Sequence, residues 1–125
     1  MSQKLSREEV ERVVAKAYPK RPQLNGTDLS GLDLTGVNLM GADLIEANLG
    51  GTNLSEVMLG GADLRRATLR GAILTGAGLV KADVREADLR ETDLSETMLR
   101  SAKYNAATHW PAGFDPASTG ATRED

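Results

Sequence analysis

The stretch Ala42–Leu64, "ADLIEANLGGTNLSEVMLGGADL", decides the fold. Every fifth residue in it is Leu. Followed in both directions, the series runs Leu24, Leu29, Leu34, Leu39, Leu44, Leu49, Leu54, Leu59, Leu64, Leu69, Leu74, Leu79, Val84, Leu89, Leu94, Leu99 and Tyr104. Seventeen consecutive positions hold no polar residue and never slip in register. Two residues before each stands a mostly small residue, such as Ala42, Ala47, Thr52, Ala62 or Ala67. The residue between is often Asp or Asn, as in Asp28, Asp33, Asn38, Asp43, Asn48 and Asn53.

A five-residue period suits neither regular element. On a helix five residues advance ~500°, so the Leu positions would spiral around the axis. On a flat strand an odd step sends successive Leu side chains to opposite faces. Both clashes disappear if the chain turns a corner in every repeat, so that each short side points its Leu at a common axis. The corner chemistry agrees. The second residue after the Leu is Gly at 26, 31, 36, 41, 51, 61, 71 and 76, which supplies the positive φ of a type II turn. Elsewhere that slot holds Glu46, Glu56, Arg66, Lys81, Glu86, Glu91 or Glu96. These corners are expected to use a second turn type without positive φ.

The segments "ADLIEANLGGTNL", "ADLRRATLRGAIL" and "ADVREADLRETDL" resemble the pentapeptide repeat family, whose units read roughly A-(D/N)-L-x-x. The resemblance covers about two-thirds of the chain. It implies an all-β fold, a right-handed quadrilateral parallel β-helix of about four coils with four repeats per coil. Residues 20 apart would then stack, giving Leu columns 29/49/69/89, 34/54/74/94, 39/59/79/99 and 24/44/64/84/104. Burying the fifteen Leu of the ladder contributes roughly 1.5–3 kcal/mol each before chain entropy is subtracted.

Three segments follow: 1–23 as an N-terminal helix and capping segment, 24–106 as the repeat body, and 107–125 as a C-terminal cap and flexible tail. Ser6-Arg7-Glu8-Glu9 has capping-box spacing. Val10, Val13, Val14 and Ala17 follow at helical intervals until Pro19. The spacing places a helix over about 7–18, an α-helical cap for the top coil, whose backbone and apolar core would otherwise be open. After Tyr104 the period breaks. "NAATHWPAGFDP" (105–116) resembles the tail of cyanobacterial pentapeptide proteins, T-x-(F/W)-P-x-G-F-D-P. Tyr104, Trp110 and Phe114 suit a lid over the bottom coil.

Composition narrows the function. At 125 residues the chain is one domain. It has no Cys, so no disulfide, thiolate metal site or thiol nucleophile. No apolar run is long enough to span a membrane, and no apolar h-region marks the N-terminus, so the expected location is cytoplasmic. The net charge of −3 divides unevenly. Residues 1–23 hold six Lys/Arg against three Glu, 24–106 hold eight against twelve acids, and 107–125 hold one against three. His109 is the sole histidine and has no matched nucleophile, so it reads as a cap residue. The Asp/Asn column reads as side chains bonding corner amides, and Arg65 and Arg85 flank Asp63 and Asp83. Arg70 and Arg90 read as solvated charge. No catalytic, cofactor-binding or metal-binding residue is assigned. A filled rod lacks the concave pocket that catalysis needs.

The third side carries the candidate interaction face. Its outward positions are Asn38, Met58, Gly78 and Met98 before the Leu, and Met40, Gly60, Val80 and Arg100 after it. The family has polar residues here. Met40, Met58, Val80, Met98 and Arg100 therefore mark an adaptable contact strip. The sequence reads as a non-enzymatic protein-interaction module with an unknown protein partner, a monomer or weak homo-dimer, with no nucleic acid or membrane partner. The basic stripe and aromatic platforms of nucleic-acid binding are missing. Similar cyanobacterial family members include regulators of cell differentiation. The alternative is a DNA mimic modulating DNA gyrase, as in the quinolone-resistance branch. The short chain and weak negative charge argue against it.

Overall fold

The computed structural model describes residues 4–125. The chain winds in a parallel coil in which residue i pairs with residue i + 20. Four columns of parallel bridges carry it: Asp28–Asn48–Thr68–Asp88, Asp33–Asn53–Ile73–Asp93, Asn38–Met58–Gly78–Met98, and Gln23–Asp43–Asp63–Asp83–Lys103. These are the first to fourth sides. Each five-residue side spends two residues on its corner, so only one residue bridges to each neighbouring coil. Regular strand is therefore confined to β1 (Lys103–Tyr104) and β2 (Thr122–Arg123). An all-β composition in the usual sense is absent among the described residues, although the pairing is that of a parallel sheet.

The ladder fills the axis. Leu24, Leu29, Leu34, Leu39, Leu44, Leu49, Leu54, Leu59, Leu64, Leu69, Leu74, Leu79, Val84, Leu89 and Leu99 are buried, with Ala42, Ala47, Ala62, Ala67, Ala72, Ala77, Ala82, Ala87 and Ala102 beside them. Leu94, near the lower end, is only partly buried. The small residues let opposing Leu side chains close on one another without voids.

The corners correct one expectation. Glu46, Glu56, Arg66, Lys81, Glu86, Glu91, Glu96 and Ser101 all adopt positive φ, between 57° and 64°. The Gly corners lie between 66° and 80°. One turn type therefore serves throughout. Each is closed by a bond such as Val57 N–H to Leu54 O, 3.0 Å. The cause is stacking. The corner amide also donates to the next coil, as Gly26 does to Ile45 O at 2.8 Å and Glu46 to Arg65 O at 3.0 Å. A corner with another turn would break register with the coils above and below. The left-handed conformation costs a non-Gly residue roughly 1–2 kcal/mol, which the stacked ladder overrides.

The upper end is capped and the lower end partly so. The helix α1 spans Arg7–Ala17. Its capping box is formed, with Glu9 N–H donating to Ser6 Oγ at 3.1 Å and Ser6 N–H to Glu9 Oε1 at 2.8 Å. Leu5 and Val10 join the core, and Val13 and Val14 pack against it. At the other end the tail departs from the flexible segment expected there. Thr108 Oγ1 donates to Val84 O at 3.0 Å, and His109 pairs with Asp88, one residue out of the 20-residue register. A turn over Asn105–Thr108 absorbs the extra residue. A 3-10 turn at Pro116–Thr119 then leads to β2, which pairs in parallel with β1. Pairing below the last coil is confined to the first and fourth sides. The second and third sides of the last coil stay unpaired below. Among the described residues, the amides of Leu94, Glu96 and Leu99 find no backbone acceptor. At this end Tyr104 meets Trp110 edge-to-face, centroids 5.7 Å apart, and Trp110 stacks on Phe114 at 5.2 Å.

Candidate functional site

The polar columns explain themselves locally. Asp28 Oδ1 accepts from Ser30 N–H at 3.0 Å, Asn38 Oδ1 from Met40 N–H at 3.0 Å, and Asn53 Oδ1 from Ser55 N–H at 3.1 Å. These Asx side chains thus hold the residue that opens their own corner; Asp43 is the exception, since Ile45 N–H donates to Asn25 Oδ1 at 2.8 Å while Asp43 accepts from Arg21 and Gln23. Where that residue is Arg, the carboxylate is also gripped by the guanidinium. Asp63 takes Arg65 Nε and Nη2 at 2.9 and 2.7 Å, Asp83 takes Arg85 at 2.9 and 2.6 Å, and Asp88 takes Arg90 at 2.9 and 2.8 Å. The Arg90 side-chain bond, opposed by burial and aided by the Arg90 amide, lowers the Asp88 pKa to about 2. Arg65 likewise holds Asp63 below the ordinary carboxylate range. At Asp83 burial is the largest influence and raises the pKa, but the Arg85 bonds and charge outweigh it.

Arg70 and Arg90, read from sequence as solvated, are both paired. Thr68 replaces the Asp that Arg70 would otherwise grip, and Arg70 reaches Glu91 at 2.5 Å instead. The exposed Arg70–Glu91 pair adds little stability. Among the described residues, no group of three His, Cys, Asp or Glu is placed to hold a metal ion. His109 is exposed.

The third side is different. Met58 and Met98 project from mid-side, 48% and 50% exposed, and Met40 from its upper corner at 51%. Gly78 lies between the first two. A Cβ placed on Gly78 would stand 3.7 Å from both Met58 Sδ and Met98 Cε. Met40 Cε reaches Gly60 in the same way, at 3.7 Å. The three methionines therefore spread over glycine backbone in a continuous apolar strip. Val80 is half-buried and Arg100 exposed at the strip's edge. A shallow depression of ≈ 400 Å³, lined by Val80, Thr97, Met98, Leu99, Arg100 and Thr119, closes its lower end, where the tail passes without pairing. Ile73 on the second side is the other exposed aliphatic of the body, at 43%.

The corners beside this strip are sorted by charge, a feature that reading along the repeat did not reveal. The corner entering the third side carries Glu56 and Glu96; the corner leaving it carries Lys81 and Arg100. All four are exposed. Reading the corner slots down each column, at steps of 20, would have found them. Tyr18, just after α1, is 85% exposed and likewise gave no signal beyond its residue type.

A family model described as pentapeptide repeats matches in eight copies, over residues 23–61, 47–84 and 77–103. Among solved structures, the chain is similar to Rfr23, a pentapeptide repeat protein from the cyanobacterium Cyanothece 51142, at 38% identity and TM-score 0.71. That match covers 72% of this chain and 61% of Rfr23, less than two thirds of its length. The pentapeptide repeat protein alr5209 from Nostoc PCC 7120 is 27% identical over 99% of both chains, with TM-score 0.59. QnrB1, a plasmid-mediated fluoroquinolone resistance protein, is 15% identical over 98% of this chain and 56% of its own, with TM-score 0.70; that likeness is one of fold alone. No curated protein matches. Among the described residues, no helix is long and apolar enough to cross a membrane.

Proposed function

The chain belongs to the pentapeptide repeat family, and on that premise we propose that it is a non-enzymatic interaction module whose third side docks a protein partner. The finer form of the scaffold, a right-handed quadrilateral coil of about four turns, is part of the same proposal and rests on the family resemblance. The reading is carried by one observation: Met40, Met58 and Met98 are each about half exposed on a single side, supported from beneath by Gly60 and Gly78. Three methionines give a polarizable surface that adapts to its partner's shape. A rigid coil behind them keeps the ordering cost of binding low.

The proposal assigns contact roles to Met40, Met58, Val80, Met98 and Arg100, and end-capping roles to Tyr104, Trp110 and Phe114. It assigns no role in chemistry to any residue. The test is affinity capture from a native lysate with wild type, the double variant Met58→Asp/Met98→Asp, and Ile73→Asp on the second side. All three substitutions lie at outward positions, so the melting temperature should hold. Proteins retained by wild type and Ile73→Asp but lost by the double variant support the reading. Equal capture by all three overturns it.

A further inference from the structure

The charges beside the methionine strip identify a partner that fits it. Glu56 and Glu96 stand on the entering corner, Lys81 and Arg100 on the leaving corner. Among the described residues, none of these four takes part in an ion pair within the chain. Elsewhere on the body Arg65, Arg66, Arg70, Arg85 and Arg90 are all paired, while Glu46 and Lys103 are not, among the described residues. The neighbouring charges keep this sorting. Arg21, which donates to Gly61 O at 3.4 Å on the basic corner, is itself paired with Asp43 at 2.8 Å. Arg7, beside Gly36 on the acidic corner, is occupied by Glu11 and Asp33.

We propose that the third side binds a second copy of this chain, the two coils lying side by side with a two-fold axis parallel to the coil axis. This deepens the interaction reading above and rests on it. The symmetry follows from the charges. Two identical sides can meet face to face about an axis along the coil or about an axis along the strand direction. The second choice sets Glu56 and Glu96 against the same residues of the partner. The first sets them against Lys81 and Arg100, and does so on both flanks at once. The methionines then meet across the axis. The side is only a few coils tall, at ~4.8 Å per coil, whereas a stable interface buries roughly 800 Å² per partner. The dimer is therefore weak and concentration-dependent, and its charges set orientation more than strength.

Two variants test the arrangement. Lys81→Glu/Arg100→Glu makes both flanks acidic, and Glu56→Lys/Glu96→Lys makes both basic. Each replaces one non-Gly corner residue by another, so the turn strain is unchanged. In sedimentation velocity over a concentration series, wild type should shift toward dimer. Each variant alone should remain monomeric where wild type dimerises, and an equimolar mixture should recover the wild-type shift as a heterodimer. Wild type that stays monomeric throughout overturns the inference, as do variants that dimerise alone or a mixture that does not recover. If wild type is monomeric while capture of another protein still depends on Met58 and Met98, the self-association fails and the interaction reading stands.

Discussion

Glu46 and Arg65 are bonded across neighbouring coils, the Glu46 amide donating to the Arg65 carbonyl at 3.0 Å while Glu46 sits at φ 60°. A residue with a Cβ is held in the left-handed region because its amide is aimed at the next coil. Gly51 occupies the equivalent slot with φ 66° and open space around a would-be Cβ. Gly51→Ala should therefore lose about 1 kcal/mol through backbone conformation alone. Glu46→Gly should be neutral or slightly stabilising, because relief of strain is offset by the greater freedom of Gly in the unfolded chain. Chemical denaturation of both variants checks this. A stabilised Gly51→Ala would contradict the single-turn account.

Acid should unfold the coil through its carboxylates. Arg90 holds Asp88 at a pKa of about 2, and bonds from Ser30 and Thr35 lower Asp28 and Asp33. A group depressed on folding stabilises above its unfolded pKa, ~3.9 for Asp. That stabilisation is lost as pH falls through the folded value. Thermal midpoints should be level above about pH 5 and fall between about pH 4 and 2. Asp88→Asn should melt below wild type at neutral pH and converge with it near the acid end. A constant difference between the two across that range would show that Asp88 does not act through its charge.

The lower edge of the coil should be dynamic where the tail fails to pair. Leu54 and Leu74 donate to Ile73 O and Asp93 O at 2.8 and 3.0 Å, and Leu59 and Leu79 to Gly78 O and Met98 O at 2.7 and 2.8 Å. Leu94 and Leu99, in the same columns, and Glu96, at the corner between them, have no such acceptor among the described residues. Amide hydrogen exchange should be slow at the first four and fast at the last three. Equal protection would mean that the second and third sides are covered below.

The likeness to QnrB1 is one of fold, and the surface charge differs from that of a duplex mimic. The repeat body carries eight Lys/Arg among its twelve acids. In a gyrase supercoiling assay with a fluoroquinolone, the protein should neither protect nor inhibit. Protection would favour the topoisomerase reading over the interaction module proposed here.

The ladder and its period are readable in the sequence because burial leaves no choice at the axis: Leu24 through Leu89 admit nothing polar. The Asx columns are readable because Asp or Asn two residues before a corner amide has one obvious bond to make. The uniform positive φ of Glu46, Glu56 and Lys81 is not readable from residue type, since stacking between coils imposes it against local preference. The tail is missed for a related reason. Pro111 and Pro116 mark an end to pairing locally, yet the chain passes them and returns to pair Thr122 and Arg123 with Lys103 and Tyr104. The sorted corners of Glu56, Glu96, Lys81 and Arg100 become visible only once the 20-residue register assigns each to a column.

The most direct test of the third side as the working surface is methyl NMR. Met40, Met58 and Met98 belong to the strip. With 13C-methyl methionine, spectra recorded across a concentration series should show the Met58 and Met98 resonances moving together. Invariant Met58 and Met98 resonances, with exposed residues of another side shifting instead, would contradict the account.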